Sequence, residues 1–261
     1  MKMYCVFGMV FLLLLASLHA ETAAERLMHA THKIFNSGST CTGFLVQDSR
    51  PDAGLTNVVL VSAKHAFDKA KGDHILLVCR VKDEQGGWQR YDHKVMIRRG
   101  TNALWTSHAT QDVAVLRCTM PAQAHFETLA MNELADGCAV SNLLSVGSRF
   151  LYFGYPHRVE GGKEGFPILR EGMVSGYPFF PVEKYPKVLI SAPTFSGDSG
   201  APALLEQADK QALLVIGIVI TRTQQTDKLS SAEVELTFKR DMALGAMLHA
   251  TYIRETLGLL P

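Results

Sequence analysis

Three short stretches of this chain hold residue types that together can do nucleophilic and acid–base chemistry. The first is Thr194-Phe-Ser-Gly-Asp-Ser-Gly-Ala-Pro202. A serine hydroxyl is a weak nucleophile until a base takes its proton. The oxyanion formed on attack also needs backbone N–H donors aimed at it. Gly197 and Gly200 flank Asp198-Ser199. Glycines permit the tight dihedrals that bring backbone amides beside a side-chain oxygen. The second stretch is Leu60-Val-Ser-Ala-Lys-His65-Ala-Phe67. His65 stands where an apolar run gives out into a turn, a placement that suits a general base with a fixed backbone and a reachable ring. The third is Gln111-Asp112-Val-Ala-Val-Leu-Arg117. An acid just before an apolar strand can hold an imidazole in one tautomer. Taken singly, each stretch also fits a blander reading: a polar turn, one histidine among ten, an ordinary turn aspartate.

These groups need a scaffold, and the pattern from residue 39 onward is one of short strands between turns. Strands are expected at Thr42–Val46, Asn57–Ser62, His74–Val81, Tyr91–Arg98 and Asp112–Cys118. A turn-rich stretch, Asp48–Gly54, separates the first two. A looser segment, Thr119–Leu144, reads as a crossing between two halves. Strands resume at Arg149–Tyr155, Gly172–Tyr177, Val188–Ser191, Ala201–Leu205, Ala212–Ile220 and Glu233–Phe238. Many short β-rich runs with Gly/Pro turns favour an all-β sandwich or barrel over βαβ units. At the end, Leu244, Met247, Leu248, Tyr252 and Ile253 fall at near-helical spacing. Asp241 suits the start of a helix there and Gly258 its end.

The chain has 261 residues, 47% hydrophobic and 20% charged, so it can bury a sizeable core and is no disordered tail. A formal charge of +1 with no polybasic block gives no electrostatic case for nucleic acid. At the N-terminus, Lys2 precedes an apolar run, Tyr4–Leu18, and then the small residues Ala20, Ala23 and Ala24. This is the form of a secretory signal peptide, expected over residues 1–20. The run is short of the ~20 residues that span a bilayer, so no stable membrane anchor is expected. Cleavage after Ala20 and after Ala24 both remain open. The mature chain is expected to be secreted or periplasmic. It keeps Cys41, Cys79, Cys118 and Cys138, which fit either two disulfides of undetermined pairing or free thiols. Their spacings match no zinc motif, and no cofactor or metal is expected.

The three stretches occur in the order His, Asp, Ser, and together they resemble the chymotrypsin-like (trypsin-fold) serine peptidases. The similar segments are Cys41-Thr-Gly-Phe-Leu-Val46, Val61-Ser-Ala-Lys-His65, Asp112-Val-Ala-Val-Leu116, Gly172-Met-Val-Ser-Gly176, Gly197-Asp-Ser-Gly-Ala-Pro202 and Gly217-Ile-Val219. The likeness covers roughly residues 30 to 255. It implies an all-β fold of two six-stranded antiparallel barrels with the catalytic cleft between them. The N-terminal barrel would span residues 21–125 and carry His65 and Asp112. The C-terminal barrel would span 126–261, carry Ser199, and end in a helix over 243–257. The resemblance further implies Ser199 as nucleophile, His65 as general acid/base and Asp112 as its orienting acid. The N–H groups of Gly197 and Ser199 would form the oxyanion hole. Pro193, Thr194, Ile220 and Arg222 would surround the primary substrate pocket. Protein or peptide is the implied substrate.

Departures from that family pattern are informative. Animal digestive members begin the mature chain with Ile-Val-Gly-Gly, whose freed amine pairs with the Asp before the catalytic Ser. Nothing like it precedes Cys41, so either Asp198 has another partner or the oxyanion loop is set differently, and the chain looks more like the bacterial branch. The family's usual partner for Cys41 directly follows the catalytic His; here that residue is Ala66. No peptide-binding module is expected after the terminal helix. Pro193 in place of an acid argues against a Lys/Arg pocket. An esterase of the Gly-Asp-Ser-Leu class is disfavoured, because Ala246 stands where His249 would need an Asp. An α/β-hydrolase elbow needs Gly-x-Ser-x-Gly and Ser before His. The remaining rival is a trypsin-fold binding protein without activity, against which the three intact triad positions weigh.

Overall fold

The structure, a computed structural model, describes residues 21–50, 57–209, 211–230 and 235–261. The expected signal peptide, most of the expected turn at Asp48–Gly54 and the start of the strand expected from Glu233 lie outside the described residues.

The first half opens on helix α1 (Ala23–Ala30), which the strand pattern did not announce. Thr22 Oγ1 accepts from the Glu25 N–H at 3.2 Å, and the Glu25 carboxylate accepts from the Thr22 N–H at 2.8 Å. This reciprocal cap satisfies two donors that the first turn would otherwise orphan. Next come β1 (Thr31–Asn36), β2 (Ser39–Gln47), β3 (Val58–Ser62), the short helix α2 (Lys64–Asp68), β4 (His74–Lys82) and β5 (Trp88–Met96). The short strands β6 (Arg98–Arg99), β7 (Asn102–Ala103) and β8 (Thr106–Ser107) follow, then β9 (Ala114–Arg117). All but β6 and β7 join one antiparallel sheet of seven strands, ordered β5-β4-β1-β2-β3-β9-β8. Leu45, Leu60 and Leu116 face a core of their own with Phe67, Leu77 and Ile97. Their neighbours Phe44, Val46, Val59, Val61 and Val115 face a second core that runs on into the other half. Burial on both faces explains why Val58–Ser62 reads as a continuous apolar run rather than an alternation.

The crossing segment carries α3 (Gly137–Leu143), capped by the Asp136 carboxylate on the Ala139 N–H at 2.8 Å. The second half is β10 (Arg149–Gly154), β11 (Ile168–Val174), β12 (Lys187–Ser191), β13 (Pro202–Leu205), β14 (Val215–Ser230), β15 (Glu235–His249) and α4 (Thr251–Gly258). Its six strands close into an antiparallel barrel, ordered β10-β11-β12-β15-β14-β13.

Two expectations need correction. Only the second half is a closed six-stranded barrel; the first is an open sheet. Closing it would require a ladder between β5 and β8. The β8 strand has two residues, and the intervening chain folds as the separate β6–β7 hairpin, tied back by the Leu104 N–H to the Ile97 carbonyl at 2.9 Å. The terminal helix is also shorter than expected, because residues 243–249 belong to β15. Leu244–Leu248 pair with β12, from Ser191↔Leu244 to Lys187↔Leu248, and the barrel claims them before a helix can start. Their apolar spacing fits a helix face, but both strand neighbours bury Met247 and Leu248.

Candidate active site

His65 lies in the first turn of α2, directly after β3, with Ala63 still extended at the turn. Asp112 lies two residues before β9, the strand beside β3. Adjacent strands therefore deliver both side chains to one sheet end. Asp112 Oδ1 accepts from the His65 N–H at 3.0 Å, and Oδ2 lies 2.7 Å from His65 Nδ1. With Nδ1–H donating to the carboxylate, a neutral imidazole presents Nε2 as a free base. The Asp112 bond, with the Cys41 side chain beside the ring adding to it, raises the His65 pKa from 6.5 to about 9 against the opposing effect of burial. Burial pushes Asp112 upward, but its bonds to the His65 ring and backbone outweigh this and hold it below its ordinary value.

Ser199 lies on the loop between β12 and β13, and contacts from both halves fix that loop. The Thr42 N–H donates to the Ser199 carbonyl at 2.9 Å, and Thr42 Oγ1 donates to the Gly197 carbonyl at 2.8 Å. From the barrel side the Gly200 N–H donates to the Val219 carbonyl at 2.7 Å. Gly197 has φ 105°, and a Cβ there would collide with the Tyr155 carbonyl oxygen. Only glycine suits both constraints. The Ser196 carbonyl accepts from the His157 N–H at 2.7 Å. In a trans peptide the N–H points opposite to the C=O, so the Gly197 N–H points away from His157. Among the described residues, the N–H groups of Gly197 and Ser199 donate to no protein acceptor.

Asp198 is buried, and its carboxylate accepts from the Phe195 N–H at 2.7 Å. Its cationic partner is Arg170 in β11. One guanidinium nitrogen lies 2.8 Å from Asp198 Oδ2, and the other bonds Oδ1. The same group donates to the Pro193 carbonyl at 3.0 Å and stacks 4.6 Å from the Tyr152 ring centre. Bidentate pairing fixes direction as well as charge. Arg170 is thus the cationic partner of Asp198.

His65, Asp112, Ser199 and Gly197 line one cleft of about 940 Å³. Thr194, Ile220 and Arg222 line it too. Arg222 is 3.5 Å from Asp241, which also accepts from Gln224 Nε2 at 2.9 Å. Pro193 is exposed and is not among the lining residues; its carbonyl anchors Arg170 and the Tyr152 hydroxyl instead. All four cysteines of the described residues are free thiols. Cys41 lines the cleft, a placement that reasoning about disulfides missed. Arg170 was missed as well, although the want of a partner for Asp198 pointed to some buried cation.

A cleft with a carboxylate-held imidazole, a serine on a pinned glycine loop and free backbone donors is equipped for acyl transfer. No curated protein sequence matches the chain. Among solved structures, the protease Anisep from Arthrobacter nicotinovorans is similar in fold, at 14% identity, covering 88% of this chain and 94% of that one with a TM-score of 0.50. A structure of the protein HBP is similar at 14% identity, covering 88% of this chain and 90% of that one, again with a TM-score of 0.50. The family described as the trypsin-like peptidase domain matches residues 41–218, a span that contains His65, Asp112 and Ser199. The chain belongs to the trypsin-like peptidase family.

Proposed function

We propose that the protein is an exported serine endopeptidase that cleaves peptide bonds through an acyl-enzyme. The observation that carries this reading is the double hold of Asp112 on His65, ring and backbone, in the cleft that also contains Ser199. His65 Nε2 takes the Ser199 proton as Oγ attacks the scissile carbonyl carbon. The resulting oxyanion is received by the N–H groups of Gly197 and Ser199. His65 then gives its proton to the departing amine, the C–N bond breaks, and an ester to Ser199 remains. Water, deprotonated by His65, attacks that ester; the C–Oγ bond breaks, His65 returns the proton to Ser199 Oγ, and the acid is released. Thr194, Ile220 and Arg222 border the primary substrate pocket.

The Arg170–Asp198 pair supports a Ser199 loop set without a freed N-terminal amine, so no proteolytic activation is required. The division of labour follows the two halves: residues 21–125 supply base and acid, and 126–261 supply nucleophile and oxyanion donors. Residues 1–20 direct the chain to export and are then removed, leaving it in the periplasm or the medium. The Thr22–Glu25 cap on α1 favours cleavage after Ala20, since cleavage after Ala24 would strip the cap. Among the described residues no helix is long and apolar enough to cross a membrane.

The test is hydrolysis of unfolded casein and of short peptide amides by the purified chain from Glu21. Turnover that disappears in Ser199→Ala and His65→Ala, with circular dichroism unchanged, is the expected result. Turnover surviving Ser199→Ala would overturn the assignment. A folded chain with no turnover at all would favour a binding protein.

A further inference from the structure

The cleft carries more cations than the proposed chemistry uses. Lys69, Arg158 and Arg222 all line it. Among the described lining residues the sole carboxylate is Asp112, which is already bound to His65. Arg222 has a counter-charge of its own in Asp241 at 3.5 Å. Lys69 and Arg158 are exposed, and among the described residues neither pairs with a carboxylate. The acid nearest to Arg158 in sequence, Glu160, is held instead by Lys33 at 2.5 Å and Arg90 at 2.8 Å.

The backbone at Arg158 is held in an unusual form. His157 and Arg158 have φ 49° and 73°, in the left-handed region that non-glycine residues rarely occupy. Such conformations persist where the surroundings over-determine them. Here the His157 N–H is bonded to the Ser196 carbonyl, and Lys33 Nζ donates to the Arg158 carbonyl at 2.9 Å. Lys33 is only 6% exposed, so a buried ammonium of the first half holds this turn of the second. One guanidinium nitrogen of Arg158 donates to the Gly38 carbonyl in the β1–β2 turn, which leaves most of its donor fork open. Asn36, at the end of β1, donates to the Lys71 carbonyl at 2.9 Å and ties the same turn to the chain just after Lys69. The β1–β2 turn thus connects the segments of both cations, and Asn36 and Gly38 line the cleft with them.

The Ser199 loop divides that cleft. On one side its Gly200 N–H meets Val219 of β14, which leads on to Ile220 and Arg222. On the other side Thr42 of β2 bonds the Gly197 and Ser199 carbonyls, and its neighbour Cys41 lies beside the His65 ring. In the proposed reaction His65 gives its proton to the departing amine. The segment released as that amine therefore leaves over the β2 side, toward the β1–β2 turn.

We infer that Arg158 and Lys69 form a specificity-determining site for acidic side chains in the leaving segment of the substrate, the residues that directly follow the cleaved bond. A guanidinium with open donors grips a carboxylate in a fixed direction, and an ammonium adds a point charge. The acyl side of the cleft offers no equivalent, because its cation, Arg222, already faces Asp241. The favoured substrate is therefore a polypeptide with Asp or Glu just after the cut. Two cations beside the nucleophile suit a peptide better than an anionic polysaccharide, which needs a longer run of positive charge.

The inference rests on the peptidase reading for the identity of its ligand, so its test has a binding arm that does not need turnover. Cuts made in a mixture of unfolded-protein peptides are mapped by mass spectrometry for the native chain, Arg158→Gln, Arg158→Glu and Lys69→Gln, with thermal midpoints checking the fold. For each protein, cuts followed by Asp or Glu are scored against cuts followed by Asn or Gln, so differences in overall rate drop out. The expected result is about a fivefold preference for the acids in the native chain. Both Gln variants should reduce it, Arg158→Glu should turn it toward Lys and Arg, and added salt should shrink it. On the Ser199→Ala protein, the anisotropy of two fluorescein-labelled peptides that differ only in Glu for Gln should show the same preference and the same loss. No preference for the acids, or one that Arg158→Gln leaves intact, would overturn the inference. Binding of dextran sulfate that Arg158→Gln abolishes, with no discrimination between the two peptides, would overturn it in favour of an anionic polysaccharide. Absence of cuts by the intact chain would count against the peptidase reading alone, and the two peptides would still decide the site.

Discussion

The two halves hold their chemistry by different means. In the open sheet, His65 and Asp112 hang from strand ends with side chains 27% and 31% exposed, and their order comes from two hydrogen bonds to each other. In the closed barrel, Asp198 is buried beneath the Ser199 loop, bound by Arg170, and the loop bends through a glycine that tolerates no side chain. The difference suits the jobs proposed for them. A general base must move a proton and meet substrate, so it stays near water. An oxyanion hole works by being fixed before charge develops, so its supports are buried. Damage to the first pair should therefore cost rate, and damage to the second should cost rate and fold together.

Substitutions can break this contrast, beginning with the most severe. Ser199→Ala should leave only the residual rate of binding and oxyanion donors, about 10³–10⁴-fold above water, in a steady-state peptidase assay. Asp112→Asn should lower kcat by about 10⁴ by imposing the wrong imidazole tautomer, with a smaller loss of stability than a substitution at the buried Arg170–Asp198 pair. Arg170→Met should do both kinds of harm. It strands a buried carboxylate, a loss of roughly 3–5 kcal/mol in a denaturant titration, and it should abolish Ser199 reactivity. Arg170→Lys should restore part of the stability and less of the rate, because a single ammonium cannot repeat the bidentate grip. If Arg170→Met left rate and stability intact, the contrast between the halves would fail.

The pH dependence is a milder probe. His65 gains a proton more readily in the fold than outside it, with its pKa raised to about 9. Its charged form therefore stabilises the fold below the unfolded value near 6.5, and that contribution fades as pH rises through about 9. Catalysis needs the neutral ring, so kcat/KM should climb with pH until about 9. Cys41→Ala removes the smaller of the two raising contacts and should move the acid limb toward lower pH. An acid limb unmoved in Asp112→Asn would contradict the account of the pair.

The local settings of the residues proposed for the chemistry were legible in the sequence. His65 follows its apolar strand, Asp112 precedes its own, and Ser199 sits between two glycines, so each announces itself over a few residues. Partners set by strand register were not. Arg170 lies mid-strand in Ile168–Val174 with nothing nearby to mark it, and only the β10–β11–β12 pairing carries it under Asp198. The terminal strand misled for a related reason. Leu244, Met247 and Leu248 suit a helix face, yet two neighbouring strands claim them. Helix α1 did have a local sign, Thr22 followed by Glu25, which is the spacing of a capping box. Closure of the first sheet depends on how few residues β8 offers, and no periodicity measures that.

The most direct test is labelling by a fluorophosphonate probe of the chain beginning at Glu21, expressed without any processing protease. The account predicts rapid labelling of this chain and none of Ser199→Ala. A folded native chain that stays unlabelled would contradict the claim that Arg170 and Asp198 hold the Ser199 loop ready for attack.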